Sequence, residues 1–186
     1  MSFDLRRTLR KLKPERLAAT LESRPDDELP FVRQNLRPGP ELLLDTVVYV
    51  DALQDRSPPE VDEIMSLRIC NHSAVCLAEL TSAYGRLDNA HPETPNTLSR
   101  ISEVIEGIRP HRLAEPGSSA WGMAGILAGL VFRLGCYQKG QERRLLNDAL
   151  VYLQALEFGQ VVLTRNIADF DRLNQLVPEG RVLFYR

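Results

Sequence analysis

The sequence predicts an α/β fold, a three-layer α/β/α arrangement with a mostly parallel central sheet and helices on both of its faces. Short apolar runs alternate with segments of helical periodicity from residue 41 onwards in the 186-residue chain. The apolar runs carry almost no polar positions, which is typical of strands covered on both faces. We therefore predict a helical N-terminal extension and linker at residues 1–40 and a single α/β domain at residues 41–186.

The first 40 residues divide into a helical part and an irregular part. Leucines recur at helical spacing over residues 4–23, and Pro14, which suits a first helical turn, divides the stretch into two predicted helices. Their polar face is basic, and we favour a solvated surface over contact with a nucleic acid or an acidic partner. Prolines and acidic residues dominate residues 24–40, so we predict a linker there.

The elements of the α/β domain follow from start and stop signals along the chain. Pro59 and Pro95 stand where a helix accepts proline, in its first turn. Pro110 ends one helix, and Gly159 suits the end of another. We predict strands at 41–45, 71–75, 161–164 and 181–185, and helices at 46–54, 59–68, from 76 onwards, from 94 to Pro110, 118–134, 142–158 and 169–176.

Composition excludes several classes of protein. The formal net charge is -2, so the whole molecule is not a cationic nucleic-acid binder, although a local basic surface is compatible with this value. Three cysteines without a C-x-x-C pair indicate a reducing compartment, and we predict a cytoplasmic location. The longest apolar run, residues 120–132, is shorter than the ~20 residues that span a bilayer, so no membrane partner is expected.

Four acidic residues interrupt apolar segments of the domain, namely Asp45, Glu79, Asp148 and Asp169. An unpaired buried carboxylate is costly unless a cation compensates its charge. The carboxyl ends of parallel strands meet at one edge of a sheet, and all four acids can reach that edge. We therefore predict that they converge and share cations.

The chemistry of such a site follows from its oxygen ligands. Carboxylates favour hard cations, so we expect Mg²⁺ or Mn²⁺ and hydrolysis of a phosphodiester bond. Thr46, Thr164 and Asn166 are predicted to hold waters or a phosphate oxygen beside the metal. Arg165 either contacts a phosphate or forms an outward-facing salt bridge.

Four sequence blocks resemble those of the PIN-domain family, in its VapC-type toxin branch. The resemblance covers residues 41–186, and the block Thr164-Arg165-Asn166-x-x-Asp169-Phe170 is its most specific part. Members of this family begin at the first strand, whereas about 40 residues precede Asp45 here. The four blocks are Leu43-Leu44-Asp45-Thr46, Ser73-Ala74-Val75-Cys76-Leu77-Ala78-Glu79-Leu80, Asn147-Asp148-Ala149-Leu150 and Leu163-Thr164-Arg165-Asn166-Ile167-Ala168-Asp169-Phe170.

The resemblance implies a PIN-like fold and a function. Members are Mg²⁺- or Mn²⁺-dependent endoribonucleases that hydrolyse RNA. They are usually homodimers, and often the toxin of a type II toxin–antitoxin pair, silenced by a cognate antitoxin protein. By motif, Asp45, Glu79 and Asp148 correspond to the family's three metal-binding acids. Asp169 corresponds to the fourth acidic position, with Asn166 as the competing candidate.

Other interpretations of the same residues stay open. Taken singly, Asp45 is a good helix cap, Asp148 a helix-surface residue and Asp169 the start of a helix. A non-catalytic nucleic-acid-binding or regulatory PIN-like module, acting with a small DNA-binding partner, is the alternative function. Another phosphodiesterase or a DNA nuclease is a third. Trp121 lies among glycines, and we interpret it as a core residue rather than a base-stacking platform.

Overall fold

A computed structural model describes residues 3–186 and contains a five-stranded parallel sheet. The strand order is β3-β2-β1-β4-β5, and each neighbouring pair is parallel. Helices flank this sheet, so the predicted α/β/α fold class is confirmed. The strands are β1 Leu42–Leu44, β2 Cys70–Ser73, β3 Leu113–Ala114, β4 Val161–Thr164 and β5 Val182–Phe184.

Nine α-helices lie within residues 3–186, and the two longest, α7 and α8, pack against each other. In the part of the chain that the structure describes, no helix is both long and apolar enough to cross a membrane. The helices are α1 Leu5–Leu12, α2 Thr46–Leu53, α3 Pro59–Leu67, α4 Ala74–Thr81, α5 Ala83–Arg86, α6 Thr94–Glu106, α7 Ser118–Leu134, α8 Glu142–Glu157 and α9 Ile167–Leu176.

The order of the strands places a crevice beside β1. The chain adds β2 on one side of β1 and β4 on the other, with Leu44 opposite Leu163 in register. Crossovers that leave in opposite directions open a gap beyond the carboxyl ends of these two strands, where α/β proteins place their ligands. Asp45 and Thr164 stand at that edge, because one follows β1 and the other ends β4.

The central strands are buried on both faces, as predicted. Leu42, Leu43 and Leu44 are 0, 0 and 2% exposed, and all four residues of β4 are buried. Each buried leucine contributes roughly 1.5–3 kcal/mol to folding. The sheet edge that carries the acids therefore rests on the most apolar part of the molecule.

Two predicted boundaries are wrong near β2, and one strand was missed. Strand β2 ends at Ser73, because its hydroxyl accepts a hydrogen bond from the Val75 amide at 3.1 Å and begins α4 at Ala74. The predicted strand had continued to residue 75. Strand β3 has only two residues, Leu113 and Ala114, and both are half-buried. No apolar run in the sequence therefore indicates this strand.

The second predicted helix of the extension is only a short 3-10 turn, Pro14–Arg16. The chain after it forms hydrogen bonds with the end of α7 instead of with itself. The Leu21 amide donates to the Leu134 carbonyl at 2.8 Å, and Arg133 donates to the carbonyls of Pro14 and Leu17, both at 3.0 Å. The first two residues of the predicted extension lie outside the described chain.

The segment predicted as a linker contributes side chains to the main core. Two 3-10 turns, Asp26–Glu28 and Val32–Gln34, flank the pair Leu29 and Phe31, which are 2 and 4% exposed. Phe31 also forms a parallel bridge with Phe184 of β5. The domain boundary after residue 40 stays a prediction, and the side chains before it belong to the same apolar cluster as the sheet.

A buried ion pair holds the extension against α9. Asp171 is fully buried and accepts hydrogen bonds from Arg24, at 2.6 Å from Nε and 2.9 Å from the backbone amide. Gln175 donates to the same carboxylate at 2.9 Å, and Arg24 also donates to Asn174 at 2.8 Å. The extension is therefore fixed through a residue 147 positions away in the chain.

We predict that Arg24→Ala lowers the free energy of unfolding by about 1–3 kcal/mol, because it leaves the buried Asp171 carboxylate without its cation. Urea unfolding followed by circular dichroism measures the change. Arg16→Ala is the matched control, since Arg16 is exposed and lies 3.8 Å from Glu15, and we expect a change within about 0.5 kcal/mol. Equal midpoints for both variants would contradict the anchoring role of Arg24.

Candidate functional site

An open cleft of about 790 Å³ lies at the carboxyl ends of β1 and β4. Three of the four predicted acids, Asp45, Glu79 and Asp148, line this cleft, which we name the acidic cleft. They come from the end of β1, from α4 and from α8. Its other lining residues are Thr46, Val47, Val50, Ser82, Arg86, Gly140, Arg143, Arg144, Asn147, Arg165 and Asn166.

Asp45 forms the floor of the acidic cleft. It is the N-cap of α2 and only 5% exposed. One carboxylate oxygen accepts from the Thr46 amide at 2.8 Å, and the other accepts from the Thr164 hydroxyl at 2.6 Å. The interpretation of Asp45 as a helix cap and its place in the cleft are therefore compatible.

Glu79 lies on α4 and is half-buried. The Thr46 hydroxyl donates to one of its oxygens, and Asn147 donates to the other at 2.6 Å. Thr46 thus connects Glu79 to Asp45, and Asn147 connects it to the neighbouring Asp148 on α8. Asn147 was not predicted as part of the site.

Asn166 links Asp148 to Asp45 through the Thr164 hydroxyl. The backbone N–H of Asn166 donates to the Thr164 hydroxyl at 2.9 Å, and the side-chain Nδ2 donates to Asp148 at 3.1 Å. Since Thr164 also donates to Asp45, neutral residues connect Asp45 to Asp148 on one side and, through Thr46, to Glu79 on the other. Thr46, Thr164 and Asn166 therefore contact the acids, and their role in holding waters or a phosphate oxygen stays a prediction.

Asp169 is separated from the acidic cleft. It is fully buried, does not line the cleft, and accepts hydrogen bonds from the Tyr137 hydroxyl, the Arg144 guanidinium and Asn166. Gly135 allows the Tyr137 ring to approach, because a Cβ at position 135 would lie 2.4 Å from that ring. Of the two candidates for the fourth position, Asn166 lines the cleft and Asp169 lies beneath it.

The acids differ in their electrostatic environment. Burial raises the pKa of Asp45 to about 6, and the charges of Glu79 and Asp169 add to this effect against the hydrogen bonds from the two threonines. Burial, with the charges of Asp45 and Asp169, also raises the pKa of Asp148 well above its usual value. Burial opposes ionisation of Asp169 too, but hydrogen bonds from Tyr137, Asn166 and Arg144 outweigh it and lower its pKa.

Three arginines line the cleft together with the acids, and none of them was predicted as a site residue. Arg86, Arg143 and Arg144 line the cleft from α5 and α8, and all three are exposed. On the sequence alone they resemble any solvated helix face. Arg165, by contrast, was left between two alternatives, and the structure pairs it with a carboxylate.

Arg165 is held by Asp51, a buried acid of α2 that the sequence analysis did not identify. Its guanidinium donates two hydrogen bonds to Asp51, at 2.8 and 2.9 Å, and Tyr185 donates to the same carboxylate at 2.8 Å. Asp51 is 2% exposed, whereas the side chain of Arg165 is 46% exposed. This bidentate geometry fixes Arg165 at the rim of the acidic cleft.

The donor set of the cleft suits a hard divalent cation. Its acidic and amide groups offer oxygen ligands. Burial, and to a smaller extent the charges of neighbouring carboxylates, raises the pKa of Asp45 and Asp148, and a bound cation would favour the ionised form of both. Within residues 3–186, however, no three carboxylate, imidazole or thiol groups are arranged closely enough to hold a metal ion. Thr46, Thr164 and Asn166 stand between the acids. The metal-binding role of the four predicted acids therefore stays a prediction.

Comparison with known proteins shows the fold. No protein-family model matches the chain, and no curated protein matches it. A chain in the DNA-bound VapBC2 structure from Rickettsia felis is similar, with 18% identity, a TM-score of 0.54, and coverage of 78% of this chain and 98% of that one. A chain in the DNA-bound VapBC structure from Salmonella typhimurium has 20% identity, a TM-score of 0.54, and coverage of 77% and 97%.

A third similar structure is FitAcB from Neisseria gonorrhoeae, with 17% identity, a TM-score of 0.52, and coverage of 77% of this chain and 96% of that chain. The predicted resemblance to VapC-type PIN domains is thus confirmed as a likeness of fold. It extends over nearly the whole length of each similar chain. Identities of this size leave the activity to be argued from the residues.

We predict that Asp45→Asn stabilises the protein in EDTA at pH 7.5, on the order of 2 kcal/mol, because an amide removes the cost of a buried charge. With a pKa of about 6, native Asp45 binds its proton more tightly than the unfolded chain does. Wild-type stability therefore falls as the pH rises from about 4 through 6, and the advantage of Asp45→Asn shrinks below pH 6. Thermal unfolding between pH 5 and 8 measures it, and a variant less stable than wild type at pH 7.5 would contradict it.

Proposed function

We propose that this chain, whose fold is that of the VapBC and FitAB structures, is a Mg²⁺- or Mn²⁺-dependent endoribonuclease that hydrolyses RNA phosphodiester bonds. The observation that supports it best is the acidic cleft itself. Asp45, Glu79 and Asp148 come from three distant parts of the chain and line one opening at the strand-order reversal. The four arginines of the same cleft supply charges that attract a polyanion.

The acids, the Asn166 amide and the two threonines have separate roles in this proposal. Asp45, Glu79 and Asp148 would hold the cation, with the Asn166 carboxamide as the fourth ligand at the cleft surface. When bound, the cation lowers the pKa of a water and balances negative charge at phosphorus. Thr46 and Thr164 keep the carboxylates in fixed rotamers.

Arginines bind the substrate in this proposal. Arg143 and Arg144 project from α8 on the same side as Asp148, and Arg165 is braced by Asp51. A guanidinium donates to two phosphate oxygens at once, so these groups would align the strand across the acids. Arg144 also contacts Asp169, which keeps that acid ionised beneath the cleft.

We further propose that the chain is the toxin of a type II toxin–antitoxin pair, with a cognate antitoxin protein and a homodimeric assembly. The support is the likeness to chains from VapBC and FitAB complexes, of which several are bound to DNA. An antitoxin segment that carries a cation into the acidic cleft would neutralise the same acids. Co-expression with the product of an adjacent small reading frame tests this partner.

We predict that the purified protein cleaves single-stranded RNA in Mn²⁺, and that Asp45→Asn or Asp148→Asn lowers the rate at least ~100-fold. Loss of a partner that only orients a metal ligand costs 10–100-fold, so loss of the ligand itself costs more. Cleavage of an end-labelled oligonucleotide, resolved on a denaturing gel, measures the rate. Asp55→Asn is the matched control, because Asp55 is 82% exposed and pairs with Arg100 outside the cleft.

Calorimetry separates loss of metal from loss of fold in the same variants. We expect wild type and Asp55→Asn to bind Mn²⁺, and Asp45→Asn and Asp148→Asn to bind it at least ~10-fold more weakly. Circular dichroism confirms that each variant is folded. If antitoxin-free wild type leaves RNA intact in Mn²⁺, the nuclease proposal fails.

A non-catalytic nucleic-acid-binding or regulatory module is the second candidate. The observation in its favour is Arg144, whose guanidinium pairs with the Asp169 carboxylate. The same guanidinium lies 4.0 Å from Asp148. A protein that balances its own acids with arginine needs less external cation. Wild type that binds RNA but takes up no Mn²⁺ would support this module over the nuclease.

A further inference from the structure

The only tryptophan of the chain lies on the surface, and the interpretation of Trp121 as a core residue is wrong. Its side chain is 51% exposed near the start of α7. The helix buries its other face, including Ala120 and Ala124, which turns position 121 outward. The neighbouring Gly122 packs closely against Phe3 of the extension, because a Cβ at position 122 would lie 2.4 Å from that ring.

Trp121 forms one wall of a groove of about 200 Å³, which we name the Trp121 groove. Its floor is apolar and comes from α4, and its rim carries Glu115 and Arg143. The lining residues are Ala74, Val75, Ala78, Glu79, Glu115, Pro116, Trp121, Arg143 and Asn147.

The groove continues into the acidic cleft. Glu79, Arg143 and Asn147 line both openings, so the two share a wall made by α4 and α8. A flexible chain that crosses the acids reaches Trp121 by passing Arg143. The indole of Trp121 therefore lies in an opening that adjoins the acids.

Charged residues of both signs line the groove, namely Glu79, Glu115 and Arg143. Arg143, at the junction, suits a phosphate. Glu115 repels a phosphate but accepts hydrogen bonds from N–H groups, as carboxylates do from the amino group of a base. The exposed indole of Trp121 lines the same groove, and tryptophan offers a nucleobase a flat π-surface on which any base can stack.

We propose that the Trp121 groove is a base-stacking subsite for the nucleotide next to the scissile phosphate of a single-stranded nucleic acid. This inference rests on the proposed function, because it takes the acidic cleft as the place of the scissile phosphate. The base lies against Trp121 above the small side chains of α4, and its phosphate pairs with Arg143.

The test uses the full chain and a fluorescein-labelled 12-nucleotide oligouridylate in EDTA at low salt, so that no cleavage occurs. Because Trp121 is the only tryptophan, the intrinsic emission reports this position alone, and we expect the RNA to quench it. Trp121→Ala should weaken binding by anisotropy roughly 5- to 150-fold, whereas Trp121→Phe keeps most of the affinity. Phe158→Ala is the matched control, since Phe158 is 52% exposed, lies at the C-terminal end of α8 and does not line the Trp121 groove.

Each outcome decides the proposal. Quenching together with weaker binding of Trp121→Ala supports the subsite, even if Mn²⁺-dependent cleavage is absent and the nuclease proposal falls. Unchanged emission and unchanged affinity of Trp121→Ala overturn the subsite, even if the protein cleaves RNA. Light scattering that shows Trp121→Ala losing a dimer, at unchanged RNA affinity, makes this face a contact between copies and also overturns it.

Discussion

Negative charge crowded at one edge of the sheet is the constraint on which the rest of this structure depends. Two acids there, Asp45 and Asp148, are 5 and 7% exposed, and burial of this kind is stable only if each oxygen has a donor. Threonines at the start of α2 and the end of β4 provide donors to Asp45. Asp45 thus connects the end of β1 and the start of α2 to the end of β4.

The protein balances its acids in two different ways. Asp169 accepts hydrogen bonds from a guanidinium, a phenol and an amide, which lower its pKa below the usual value. Asp45 accepts hydrogen bonds only from neutral donors, and burial raises its pKa to about 6. The first arrangement is internally neutral and suits a structural acid. The second keeps uncompensated charge at a solvent-accessible opening, which is the property that a cation-binding group requires.

Much of the fold could be predicted because local signals agreed with tertiary packing. The fully buried β4 was placed at its observed bounds, and Gly159, with φ 68°, follows the end of α8 as expected of glycine. Strand β3 has only two residues, Leu113 and Ala114, and is too short to show a pattern. The second helix of the extension failed because its backbone groups pair with α7, over 100 residues away.

A site residue could be predicted from the sequence where a charged side chain interrupts an apolar segment. A charged residue on a polar helix face could not be distinguished from its neighbours. Asp45 and Asp148 interrupt leucine-rich runs, whereas Arg143 and Arg144 look like an ordinary solvated turn of helix. Tyr137 reaches Asp169 from a loop whose path depends on Gly135. The orientation of Trp121 is likewise set by which face α7 buries, and no local spacing encodes that choice.

The pairing of the segment before residue 40 with β5 also closes a border of the sheet. Phe184 donates its amide to the Pro30 carbonyl at 2.9 Å, so the outer side of β5 is already hydrogen-bonded. The opposite border is the two-residue β3, which is too short to template another strand. Neither margin offers a long row of free peptide groups, and the protein is thereby protected against intermolecular strand addition and aggregation.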